Sequence, residues 1–280
     1  MHHQDSLKVA AAQINCAFAD LDANLEHHRE YIDQARAEDV ELLVFPELSL
    51  TGYGLGRQVM EVAIPREDPR LATLASACGD MQTVVGFVEE ASPGEYYNAL
   101  AIMQRGEIIA VHRKLNLPSY GGLEEGKWFT HGNELTHTDV RPGWSNTPLI
   151  CADMWNPALV HAALLARPTL LCAPINSASG IVSEDFSNEQ NWHVNVRFYA
   201  MTYGTPVIMV NRYGPEGDSH FWGGSCILGP RGEFLARAED REMLITTTLS
   251  RKAIANARFE LPTHRDADTP LIRELMAGYR

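Results

Sequence analysis

Glu47, Lys114 and Cys151 each fall where a predicted strand ends, and their side chains are chemically complementary. Thr147 to Ile150 reads as a short buried strand. Pro157 with the helix formers Ala158, Leu159 and Ala162 to Leu165 reads as a helix start, so Cys151 sits at a strand-to-helix elbow. A sulfur there is held by the sheet while the adjoining loop stays open to substrate. The nearby helix N-terminus is expected to favour a thiolate. Singly, each residue has an ordinary reading: a buried cysteine, a solvated loop carboxylate, a surface lysine. Together, a carboxylate, an ammonium and a thiol can cleave an amide. The carboxylate moves the thiol proton to the leaving amine, and the ammonium stabilises first a thiolate and then a tetrahedral oxyanion.

The elements that must position these groups alternate. Leu7 to Gln13 reads as a strand; Leu21, Leu25, His28, Ile32 and Ala35 recur at helical spacing behind an Asp20 or Asp22 cap; Glu41 to Glu47 reads as a second, apolar strand. Strand, helix, strand opens an α/β sheet, whose carboxyl edge is where such folds bind ligands. Pro69 to Cys78 is expected to be a helix and Thr83 to Val88 a strand. Asn98 to Met103 and Glu107 to His112 read as a hairpin that delivers Lys114 at its end. A long irregular segment, Ser119 to Gly132, follows. Beyond Cys151, Thr169 to Ala173 reads as a buried strand leading through Asn176 into a polar loop. A helix with Trp192, Val196, Tyr199 and Tyr203 on a core-facing stripe comes next. Val207 to Asn211, Ser225 to Leu228 and Glu242 to Leu249 complete a strand-rich second half.

The 280 residues show no composition break, so a single domain over 1–280 is expected, with its core over about 7–250 and a tail, 251–280, available for oligomer contacts. Lys and Arg total 23 against 36 Asp and Glu, a net charge of −13 that repels phosphate backbones and anionic lipid. No nucleic-acid or membrane partner is expected. Met1 to Ser6 lacks an apolar leader, and no stretch approaches ~18 uninterrupted apolar residues, which points to a cytoplasmic protein. Five cysteines without a CxxC argue against a disulfide framework and a zinc ribbon. The histidines show no HExxH, and the pairs His2-His3 and His27-His28 point their rings apart, so no metal site is expected.

The order carboxylate, ammonium, thiol resembles the nitrilase superfamily of carbon–nitrogen hydrolases, with its Glu-Lys-Cys triad. The carriers are Val44 to Tyr53 (VFPELSLTGY), Arg113 to Pro118 (RKLNLP) with Tyr120-Gly121, and Leu149 to Asp153 (LICAD). Val210-Asn211-Arg212, Gly224-Ser225 and Gly229 to Glu233 also match. The resemblance implies an αββα sandwich. It makes Glu47 the general base and acid, Lys114 the oxyanion stabiliser and Cys151 the nucleophile. It aligns Glu125, with Glu124 as the alternative, to an auxiliary carboxylate that orients the lysine, since an ammonium between two carboxylates stays charged. The backbone N–H of Ala152 becomes a second oxyanion donor. Tyr53, Asn176 and Glu184 complete the candidate contacts to substrate or oxyanion. No cofactor is implied. Family members assemble through helical faces, so a homodimer or higher homo-oligomer is expected, with the helix over Asn188 to Tyr203 contributing.

Nitrile-cleaving members typically carry Cys-Trp-Glu at the nucleophile; Cys151-Ala152-Asp153 departs from this and favours an amide. Asp153-Met-Trp155 resembles the Cys-Glu-Asp-x-Trp pattern of the glutaminase domains of glutamine-dependent NAD synthetases, whose ATP-binding half 280 residues would not accommodate. The absence of membrane spans sets aside the lipoprotein acyltransferase branch. What is left is an enzyme that cleaves a small linear amide or N-carbamoyl amine and releases ammonia through a cysteine thioester. The acidic loop Ser183 to Glu189 would then draw a cationic substrate. The alternatives are a nitrilase acting on a small nitrile and a non-catalytic binding protein on the same fold. A redox thiol enzyme would give Glu47 and Lys114 no role.

Overall fold

A computed structural model describes residues 5–279. The leaderless reading of Met1 to Gln4 and the His2-His3 pair lie outside the described residues. In chain order the first half comprises β1 (Ser6–Gln13), α1 (Leu21–Ala37), β2 (Leu42–Val44), α2 (Val59–Val62), α3 (Pro69–Cys78), β3 (Gln82–Ser92), β4 (Glu95–Gln104) and β5 (Glu107–Arg113). The second half comprises β6 (Thr138–Arg141), β7 (Trp144–Pro148), α4 (Pro157–Leu165), β8 (Leu170–Ile175), α5 (Asn188–Tyr203), β9 (Val207–Asn211), β10 (Tyr213–Glu216), β11 (Ser219–Trp222), β12 (Cys226–Leu228), β13 (Phe234–Arg237) and β14 (Met243–Ser250). It closes with α6 (Arg251–Glu260), α7 (Thr263–Asp266) and α8 (Thr269–Ala277).

The strands form two six-stranded sheets, ordered β14-β1-β2-β3-β4-β5 and β13-β12-β9-β8-β7-β6, with β10-β11 as a separate hairpin. Side-chain alternation sorts each sheet into two faces. Leu7, Val9 and Ala11 of β1 meet Leu170 and Cys172 of β8 and Ile208 and Val210 of β9 in a core between the sheets. Ala10 and Ala12 turn the other way, toward Ile32 and Ala35 of α1 and Leu71 and Leu74 of α3. On the opposite outer face, Leu171 and Ala173 pack against Val160 and Leu164 of α4 and the Trp192, Val196, Tyr199 stripe of α5. The result is the αββα sandwich, and the α5 stripe is core as its spacing predicts.

Strand direction brings the chemistry together. β2 runs parallel to β3, and β5 is antiparallel to β4, which is antiparallel to β3; β2 and β5 therefore end at the same edge, delivering Glu47 and Lys114. In the facing sheet β7, β8 and β9 are parallel, so Cys151, Asn176 and Arg212 follow strand ends that share an edge.

The turn carrying Glu47 is tightly seated. Leu48 adopts φ +48°, and Phe45 and Leu50 donate backbone hydrogen bonds to Val84 and Gly86 of β3. Gly86 permits this approach, because a Cβ there would lie 2.3 Å from the Leu48 nitrogen and 2.5 Å from the Pro46 oxygen. His28 braces the same turn through contacts from Nδ1 to the Asn24 carbonyl at 2.7 Å and from Nε2 to Ser49 Oγ at 2.9 Å. Burial holds that imidazole neutral, its pKa pushed down to about 3.

Several elements depart from the sequence reading. β6, β10, β11 and β13 are four-residue strands without strong alternation, and the tail is helical, with Ile254 and Ala257 of α6 buried. The Cys151 strand begins earlier, at Trp144, and stops at Pro148. Gly86→Ala is expected to cost about 1–3 kcal/mol of stability, as overpacking does, and to displace Glu47; denaturant titration matching the wild type would contradict the tight seating.

Candidate active site

Lys114 is the centre of the site. Its backbone is fixed by Lys114 N–H to the Asn98 carbonyl and Gly132 N–H to the Lys114 carbonyl, both at 2.8 Å, and its side chain is fully buried. Nζ lies 2.6 Å from Glu47 Oε1 and 2.7 Å from Glu125 Oε1. Two of its three N–H donors are thereby taken. Asn98 Nδ2 donates to the same Glu47 oxygen at 2.8 Å, and the Tyr53 hydroxyl donates to Glu125 Oε1 at 2.5 Å. The second oxygens, Glu47 Oε2 and Glu125 Oε2, are buried without a partner among the described residues. Of the adjacent glutamates, Glu125 heads a 3-10 turn and points inward to Lys114, whereas Glu124 is exposed and pairs with Lys127 at 2.5 Å.

Cys151 opens a 3-10 turn, Cys151–Trp155, rather than the α-helix itself, and adopts φ +44°. A non-glycine residue there stores strain, which persists only when its surroundings hold it. Asp153 supplies that hold. One carboxylate oxygen accepts the Ile150 N–H at 3.0 Å; the other accepts the N–H groups of Leu115 at 3.1 Å and Asn116 at 2.6 Å. Asn116 Nδ2 returns to the Ala152 carbonyl at 2.8 Å. The elbow of one sheet is thus tied to the residues just after Lys114 in the other.

A narrow slot opens beside the sulfur. Cys151, Ala152, Tyr53 and Asn176 line it, with Trp155 and Ile181 among its apolar walls. Trp155 packs edge-on against Trp192 at 5.1 Å and Phe186 at 5.9 Å. Asn176 donates from Nδ2 to the Glu47 carbonyl at 2.9 Å. Glu184 does not join them. It is exposed and outside the slot lining, which includes Ile181 and Val182 before it and Asn188 after it. Asn98, Asp153, Trp155 and Asn188 belong to the site and were missed as site residues. Of these, only Asp153, two positions from the cysteine, carried a usable local signal.

The electrostatics correct one expectation. Burial, then Glu47, pushes the Cys151 thiol well above the ordinary range, with Glu125 adding to the rise against the lowering by Lys114 and the Asn176 N–H. These influences oppose the thiolate expected from a helix end. Burial alone would lower the pKa of Lys114, but Glu125 and Glu47 hold it well above its usual value. Burial raises Glu125 to about 7 against the pull of Lys114, with Glu47 raising it further. Tyr53 stays a neutral phenol, raised by burial and then by Glu125.

No helix among the described residues is long and apolar enough to cross a membrane, and no group of three or more His, Cys, Asp or Glu among them could hold a metal ion. The chain is 30% identical over 241 residues to a glutamine-dependent NAD(+) synthetase of Thermotoga maritima, covering 82% of this chain and 39% of that protein. It therefore spans about two fifths of the length of that relative. It is 25% identical to an N-carbamoylputrescine amidase of Arabidopsis thaliana, covering 96% and 94% of the two chains. The fold matches the crystal structure of an amidase from Nesterenkonia sp. with a TM-score of 0.81 at 22% identity, over 98% and 97% of the two chains. The sandwich, the strand-end cluster and a match to the carbon–nitrogen hydrolase family model across residues 8–259 agree, and the chain belongs to the carbon–nitrogen hydrolase family.

Proposed function

We propose that the protein is an amidase that cleaves a small linear amide or N-carbamoyl amine through a Cys151 thioester and releases ammonia. The observation that carries this reading is the buried Glu47–Lys114–Glu125 cluster at the strand ends that face the Cys151 slot. Glu47, with one oxygen saturated and the other unpartnered, takes the thiol proton as sulfur attacks the carbonyl carbon. The carbon–oxygen double bond opens to an oxyanion, which Lys114 and the Ala152 N–H stabilise. The intermediate collapses with cleavage of the carbon–nitrogen bond, and Glu47 returns the proton to the leaving nitrogen. Water then gives a proton to Glu47 and attacks the thioester. The acid or carbamate departs, and the sulfur recovers its proton.

Acidic groups that follow the slot wall in sequence, although outside its lining, support a cationic substrate through long-range attraction rather than contact. Glu184 and Asp185 are exposed just after Ile181 and Val182 of the slot wall, and N-carbamoylputrescine amidases are among the relatives. Turnover is expected to favour an N-carbamoyl amine bearing a free ammonium over neutral and anionic analogues of matched size, a preference that weakens as salt is added. Equal rates across the three would dispose of this preference.

Ammonia release from short amides, N-carbamoyl amines, N-carbamoyl amino acids and nitriles tests the reaction itself. Activity should vanish in Cys151→Ala and fall by about 10²–10⁴-fold in Glu47→Gln, with a thioester visible by mass spectrometry in the wild type. Activity surviving in Cys151→Ala would overturn the mechanism.

Glu125 gives a pH-linked expectation. Its pKa rises from an ordinary 4.5 to about 7 in the folded state, so between these values the native protein binds more protons than the unfolded chain. Stability linked to this group is therefore fully present below pH 4.5 and lost as pH rises through about 7. The difference in stability between wild type and Glu125→Gln should fall across that interval by on the order of 3 kcal/mol, measured by denaturant titration. A difference independent of pH would refute the assignment.

A further inference from the structure

The reaction leaves unused a buried polar cluster behind Tyr53. Arg212, fully buried after β9, donates to Asn15 Oδ1 at 3.1 Å, to the Cys16 carbonyl at 2.8 Å and to the carboxylate of Glu216. Its guanidinium carbon also lies 4.6 Å from the Phe221 ring centroid. Glu216 ends β10, the first strand of the separate hairpin, and its side chain is 8% exposed. Both of its oxygens are turned on the loop that carries Tyr53: Oε1 accepts the Gly54 N–H at 2.7 Å and Oε2 the Tyr53 N–H at 3.1 Å. The neighbouring Gly52, at φ +84°, leaves the room for this, since a Cβ there would come 2.5 Å from Glu216 Oε2.

The other strand of the hairpin, β11, grips the opposite wall of the slot. Phe221 bridges to Ala178, the Ser179 N–H donates to the His220 carbonyl at 2.9 Å, and Trp222 Nε1 donates to Ser177 Oγ at 3.3 Å. Three polar atoms, Glu216 Oε1 and Oε2 and the His220 carbonyl, thus fix backbone N–H groups beside the slot, and Trp222 Nε1 holds a side chain there, from a hairpin that contributes no side chain to the reacting groups. Charge explains why a carboxylate serves at 216: it accepts two N–H groups while Arg212 balances its burial.

We propose that Glu216, clamped by Arg212, is a positioning residue that fixes the Tyr53 backbone so that the phenol reaches Glu125 and, through it, orients Lys114. The proposal rests on the amide-cleaving reading of the site. The chain of contacts is continuous: Glu216 to the Tyr53 N–H, the Tyr53 hydroxyl to Glu125 Oε1, and that same oxygen to Lys114 Nζ. Misplacing the phenol removes one of the two hydrogen bonds that lower the Glu125 pKa, so the ionisation of Glu125 moves upward.

The test compares Glu216→Gln, Tyr53→Phe and the double variant. The near-isosteric Glu216→Gln is chosen because it keeps one acceptor and the volume of the side chain. For a substrate that the wild type turns over, each single variant should lose about 10–100-fold in kcat with KM little changed. The double variant should lose no more than the worse single one, because both act on one interaction. The Glu125-linked transition in the pH–rate profile should move above its wild-type position in both. A second arm needs no turnover: with 13C-labelled tyrosine, the Tyr53 ring resonance, identified by its absence in Tyr53→Phe, should shift in Glu216→Gln. Losses that multiply in the double variant, or an unmoved Tyr53 resonance with unaltered kcat and only a lower Tm, would overturn the proposal and leave a purely structural ion pair. If the wild type released ammonia from nothing, the proposed reaction would fail while the resonance still decided the clamp.

Discussion

A lysine ammonium buried out of water is the constraint on which the rest of the site depends. Alone it would lose its proton or unfold its surroundings, because an isolated buried charge is far more costly than any single hydrogen bond returns. Glu47 and Glu125 keep it charged, and each of them is tolerable in the interior only because the ammonium is there. Removing one member of such a cluster typically costs about 3–5 kcal/mol, since it strands the others. Two carboxylates against one ammonium would still leave an excess negative charge. The rise of Glu125 to about 7 relieves it, because a proton held there brings the trio to neutrality.

The sandwich supplies this cluster in two halves. Glu47 and Lys114 come from the end of one sheet, Cys151 and Asn176 from the facing end of the other, and the apolar residues between the sheets set their separation. Packing alone leaves the elbow free to tilt, and the Asp153 carboxylate removes that freedom by accepting N–H groups from both sides. The positive φ of Cys151 and of Leu48 shows where the chain is forced. In both places the neighbouring hydrogen bonds hold a conformation that the residue would not choose unaided.

Legibility in the sequence followed the strength of local periodicity. β1, α1, β3, the β4-β5 hairpin, β8 and α5 have long or strongly patterned apolar runs, and each lies within a few residues of where the pattern puts it. Glu47, Lys114 and Cys151 were readable because they follow directly on such runs. Glu125 came from resemblance, and only three-dimensional contacts separate it from Glu124, since adjacent glutamates in an irregular loop carry no register. The β10-β11 hairpin went unread although Gly217-Asp218 is a turn signal between short strands. Four-residue strands give too few positions for alternation to show. Asn98, inside a buried strand, was hidden for the opposite reason: its polar side chain interrupts an apolar pattern that otherwise explains the segment completely. Glu184 was drawn in by charge and by its place after the Ala173 strand, and neither says which way a loop turns.

The opposition to a thiolate at Cys151 changes how catalysis has to be organised in the proposed reaction. A preformed thiolate would be stabilised before attack and lose that stabilisation as its charge moves to oxygen, which raises the barrier rather than lowering it. Around Cys151, burial and the carboxylates oppose ionisation until a carbonyl oxygen is present to take up negative charge. At that moment the charge passes from sulfur to oxygen, and the Lys114 ammonium, already held in place with a donor to spare, meets it without reorganising. A buried ammonium, a near-neutral carboxylic acid and a thiol that resists ionisation are therefore parts of one electrostatic solution. Placing Glu125 in its ordinary ionised state would return an excess negative charge to the buried cluster.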